Sequence, residues 1–75
     1  MTLEQLRFRA GLTQEQLAEK VGVARITISS WENAASQPKI QYMRPLADAL
    51  GVTTAVIYDA IQFTAQQARQ NRGST

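Results

Sequence analysis

Arg25, Ile26 and Ser30 fall on one side of a short helical stretch whose other side carries Ile28 and Trp31. An arginine can donate two hydrogen bonds to guanine O6 and N7, and an isoleucine can pack on the thymine methyl. This is the chemistry of reading base-pair edges in the major groove of double-stranded DNA. Ile26 is the most telling of the three, because an isoleucine facing water at the start of such a helix has no core to join. Single exposed apolar residues are nonetheless common on protein surfaces. Around the trio stand side chains suited to phosphate oxygens. Thr13 and Gln14 open a helical segment whose free N–H groups attract an anion, and Thr27, Asn33 and Lys39 follow at its flanks. Contacts of this second kind orient a protein and supply salt-dependent affinity without reading sequence. Thr13 and Gln14 also have a plainer use as helix caps. Trp31 could stack on a base, but its spacing from Ile28 assigns it to the buried face.

Other chemistries are short of residues. The chain has no histidine and no cysteine, so thiolate and imidazole metal sites, disulfides and the common nucleophile–base pairs are missing. Its six acids form no pair at a credible pocket spacing, and no glycine-rich phosphate loop is present. The expectation is therefore no enzyme, no cofactor, no metal and no small-molecule ligand. A net charge of +2 permits nucleic-acid binding without proving it. The aromatic-rich basic sheet that would suggest RNA is absent. No apolar run approaches the ~18 residues of a membrane span, and the N-terminus lacks the order of a signal peptide. A cytoplasmic protein without membrane contact is expected.

Seventy-five residues allow one domain, which buries only roughly 60–65% of its unfolded surface. The elements that must position the candidate residues are all helical, with apolar residues at helical spacing and glycines at the stops. Segment one runs from about Leu3 to Ala10, segment two from Gln14 to Lys20, and segment three from Arg25 to Asn33. A polar loop, Ala34 to Lys39, leads to segment four, which ends at Leu50 before Gly51. Pro45 allows that segment to begin as late as Arg44. Segment five starts near Thr54 and continues past Phe63 towards Arg69, giving a domain over 1–68 and a frayed tail over 69–75. Thr2 with Gln5 and Thr13 with Gln16 are capping boxes. Apolar staples are expected for Met1 with Leu6, Leu12 with Leu17, and Val52 with Ile57. Segment three keeps its staple pair, Val23 and Ile28, but has Ala24 where a capping oxygen belongs.

Two short helices around Gly22 must cross steeply. That crossing requires a small Ala18 beneath the second helix and a positive φ at the turn. The stretch QEQLAEKVGVARITISSWEN meets each requirement at the spacing of a helix-turn-helix. From Leu6 to about Leu50 the chain resembles the lambda-repressor/Cro (XRE) family, through LRFRAGLTQEQLAEKVGVARITISSWEN, a loop with Pro38, and LADALGV. The resemblance implies a compact five-helix, all-α domain whose third helix enters the major groove, and a bacterial or phage origin. It implies a phosphate contact at Gln14 and a structural ion pair between Arg7 and Glu32. Two positions depart from the family pattern: Ala24 replaces the usual Ser/Thr cap, and Ala34 stands where glycine is frequent.

The functional expectation is a transcriptional regulator, a repressor first, that binds a palindromic operator. A homodimer on DNA follows from the small footprint of one recognition helix, with Ile61 and Phe63 as the dimer contact and half-sites about 10 bp, or ~34 Å, apart. The competing reading is a protein-interaction module, such as an antitoxin or co-regulator, with secondary DNA binding.

Overall fold

Threonine, placed just ahead of an amphipathic run, sets where the first two helices begin. In the computed structural model, which describes residues 1–73 and the side chains through residue 68, Thr2 and Thr13 each form the expected capping box. The threonine Oγ1 accepts from the amide three residues on, and the glutamine Oε1 there accepts from the threonine amide. Helix α1 spans Leu3–Arg9, α2 Gln14–Val21, α3 Arg25–Glu32, α4 Met43–Leu50 and α5 Thr54–Gly73. Every regular element among the described residues is helical, as expected. Thr53 caps α5 through the Val56 amide at 3.3 Å.

Three details were not legible in the sequence. A 3-10 turn, Ile40–Tyr42, runs directly into α4, so that helix begins at Met43. Pro45 is thereby in the first turn, where its missing N–H has no intrahelical partner to lose. Helix α5 continues to Gly73, so its helical residues enter the stretch read as a tail. Met1, expected to staple onto Leu6, lies outside the core cluster. It stands half-exposed, and its Sδ accepts from Arg9 Nη1 at 3.6 Å.

The core is one cluster drawn from all five helices: Leu3 and Leu6, Leu17, Ala18 and Val21, Ile28 and Trp31, Leu46, Ala47 and Leu50, and Ile57, Ala60 and Ile61. Leu12, Val23 and Val52 pack against its edge, which places three of the expected staple residues. Thr64 is a buried polar residue beside this core. The Leu3 amide donates to its Oγ1 at 3.1 Å, and its hydroxyl donates to the Ala60 carbonyl at 2.7 Å. One free N–H at the start of α1 is thereby satisfied by α5, which docks the two helices. Beyond α3, Trp31 and Tyr42 stack tilted with centroids 5.4 Å apart. This contact and the buried Pro38 hold the loop that carries Lys39.

Candidate nucleic-acid interface

The angle between α2 and α3 is set at Gly22, whose φ of 85° lies in the left-handed region that side chains disfavour. Its amide and that of Val23 both donate to the Ala18 carbonyl, at 2.8 and 3.0 Å, closing α2. Ala18 is buried in the shared core, as the steep crossing requires. Helix α3 therefore leaves the turn with Ile28 and Trp31 inward and its opposite face to solvent.

On that face Ile26 is 70% exposed, and Arg25 beside it is also exposed. Ser30, one turn further on, is half-buried, as is Thr27. Asn33 is exposed at the C-cap, and its Nδ2 donates to Ser29 Oγ at 3.4 Å. Ser29 thus joins the same surface, although the sequence reading passed over it. Its spacing of three residues from Ile26 could have shown this. Thr13 is exposed, with its hydroxyl oxygen occupied by the cap, and Lys39 is exposed ahead of the 3-10 turn.

The expected pair of Arg7 and Glu32 forms, and it is buried. Arg7 Nε and Nη2 donate to the two oxygens of Glu32 at 2.7 and 3.1 Å, and the side chains are only 7% and 3% exposed. Arg7 Nη1 also donates to the Leu12 carbonyl at 3.0 Å. The hydrogen bonding of Arg7 to Glu32, reinforced by the charges of Glu32 and Glu4, raises the Arg7 pKa against the opposing effect of burial. The pairing thus favours the charged guanidinium.

Gln14, expected as a phosphate contact, has two side-chain partners within the protein. Its Nε2 donates to Glu32 Oε1 at 3.0 Å, while its Oε1 accepts from Arg25 Nη1 at 3.3 Å. A chain of polar contacts thus runs from Arg7 through Glu32 and Gln14 to Arg25. It ties the first residue of α2 to both ends of α3. Spacing along one helix does not reveal it, because it joins three helices.

Only one of the two residues expected at the dimer contact lies at the surface. Ile61 is 5% exposed and belongs to the core, because α5 turns the stripe of Ile57, Ala60, Ile61 and Thr64 inward against α1 and α4. Phe63, at 37% exposed, is the member of the pair left at the surface.

Residues 3–57 match the Helix-turn-helix family, and this span contains the whole α2–α3 unit. The chain belongs to the XRE-type helix-turn-helix family. It is 32% identical over 72 residues to the HTH-type transcriptional activator BcrR of Enterococcus faecalis, covering 96% of this chain and 35% of that protein. It is also 47% identical over 45 residues to an uncharacterised HTH-type transcriptional regulator of Methanothermobacter thermautotrophicus, covering 60% of this chain and 65% of that one. The chain thus spans about a third of the first relative and just under two thirds of the second. Among the described residues, no helix is long and apolar enough to cross a membrane.

Proposed function

We propose that this chain is the DNA-binding unit of a transcription regulator, and that it places α3 in the major groove of an operator. The observation that carries this reading is the start of α3. There an exposed isoleucine stands beside an arginine that is tethered, through Gln14 and Glu32, to a buried ion pair. Arg25 reads a guanine, Ile26 packs on a thymine methyl, and Ser30 contacts a base edge further along the groove. Thr13, Gln14, Thr27, Asn33 and Lys39 face the backbone on either side.

Two copies related by a two-fold axis bind a palindrome with half-sites about 10 bp, or ~34 Å, apart, and Phe63 contributes to their contact. Repression is the direct result, because it needs only occupancy of a promoter. The Enterococcus relative is named an activator, over a third of whose length this chain aligns. Selection of bound sequences from a random duplex pool tests the reading, since it reports both base preference and half-site spacing. A pool that returns no enriched sequence overturns it.

A further inference from the structure

Neither the core nor the recognition face uses Phe8. It sits on α1 between Arg7 and Arg9, and it is 63% exposed, unusual for so large an apolar ring. Its inner face is not loose. The Arg7 guanidinium carbon lies 4.6 Å from the ring centroid, and that guanidinium is locked by Glu32 and the Leu12 carbonyl. The cation–π attraction therefore holds the ring against a rigid group and leaves its outer face bare.

The ring borders a cleft of about 590 Å³ shared with Gly11, Thr13, Gln14 and Arg25. Gln14 and Glu15 bring the free amides at the start of α2, the Thr13 amide being taken by Gln16, and Arg25 brings a cation from the start of α3. A cleft with an apolar wall beside N–H donors and a cation matches a strand backbone, in which an apolar sugar follows each anionic phosphate. The cleft is continuous with the recognition face, because Arg25 lines both. A duplex engaged by α3 passes over it. Glu15 is the acid on the rim, and the Glu32 charge is already taken by Arg7.

We propose that Phe8 is a DNA-backbone contact, its exposed ring packing on the deoxyribose next to the phosphate held over Thr13 and Gln14. This rests on the DNA-binding reading above and extends the footprint from α2 and α3 to α1. The contact is apolar and releases no counterion, and a sugar carries no base identity. It adds affinity to every sequence alike and leaves the salt dependence untouched.

The test uses the full chain, an operator from the selection, and a random duplex. Phe8→Ala is expected to weaken binding to both duplexes by about five- to tenfold, with an unchanged slope of affinity against salt. Phe8→Leu is expected to recover part of the loss. Replacing Phe8 by p-benzoylphenylalanine keeps an aromatic ring in place, and its photocrosslink is expected to map to a sugar at the half-site flank. Phe8→Ala binding as tightly as wild type, with no crosslink, overturns the proposal while wild-type binding and the Arg25→Ala loss leave the DNA reading standing. A Phe8→Ala loss confined to the operator also overturns it, by making the ring a base contact. Failure of the wild type to bind any duplex overturns the DNA reading itself, and this inference with it.

Discussion

Helices α2 and α3 have the same length, eight residues each, and meet at one glycine, yet they are held by different means. Helix α2 is locally complete. It opens on the Thr13 capping box and closes on Gly22 in the left-handed conformation. Helix α3 is poor at both ends. Ala24 provides no side-chain cap, and the turn that closes α3 puts Ala34 at a φ of 60°. That turn is otherwise well made, with the Ala34 amide donating to the Trp31 carbonyl and the Ala35 amide to Ser30. What α3 lacks locally it gains from its neighbours, through Glu32 on Arg7 and through the burial of Ile28 and Trp31. The lesson is that a helix offered to a ligand can be fixed in orientation from behind, by long-range contacts, while its N-terminal turn remains uncapped.

The largest expected effect comes from removing that support. Arg7→Met or Glu32→Gln leaves a buried group without its partner and is expected to cost roughly 3–5 kcal/mol, read by thermal or urea melts. The double mutant is expected to lose less than the sum of the singles. Small, additive losses would mean that α3 is held by apolar packing alone.

Next is the chemistry that α3 presents. Arg25→Ala is expected to cost roughly 1–3 kcal/mol on the selected operator and to relax preference at one base pair. Ile26→Ala is expected to abolish discrimination between thymine and uracil at the neighbouring position, since only the methyl distinguishes them there. Competition binding with single-base operator variants measures both. An equal loss on random DNA would make Arg25 a phosphate contact. Gln14→Ala is expected to reduce sequence preference as well as affinity, because Gln14 also holds Arg25.

Repairing the local defects of α3 sharpens the comparison from the other side. Ala24→Ser is expected to raise stability by roughly 1 kcal/mol, by giving the first amides an acceptor. Ala34→Gly is expected to raise it by about 0.5–1 kcal/mol, since relief of the left-handed strain exceeds the entropy lost by a more flexible unfolded chain. Melting temperatures decide both, and unchanged values would show that α3 already satisfies its ends in another way. The smallest effect is electrostatic. Lys39→Ala is expected to lower the salt slope of DNA binding by about one unit, in gel shifts across a salt series, with stability unchanged.

Much of this protein is written locally. The threonines at 2, 13 and 53 and the glycines at 22 and 51 mark helix ends, because capping and positive φ are properties of a few adjacent residues. The face of α3 that carries Arg25 and Ile26 follows from the period of the α-helix once Ile28 and Trp31 are assigned inward. Which flank of α5 is buried does not follow in the same way. Ile57, Ala60, Ile61 and Phe63 form a wide apolar band, and the positions of α1 and α4 select Ile61 for the core and leave Phe63 outside. The same limit hid the links from Gln14 to Glu32 and Arg25, and from Thr64 to the Leu3 amide. These bonds join residues 11 to 61 positions apart, so they exist only once packing has brought separate helices within reach. The sequence alone determined where most of the helices lie and which side of α3 carries Arg25 and Ile26 at the surface. Only the tertiary structure decided what holds them there, because hydrogen-bond partners between helices are set by three-dimensional proximity and leave no periodic trace along the chain.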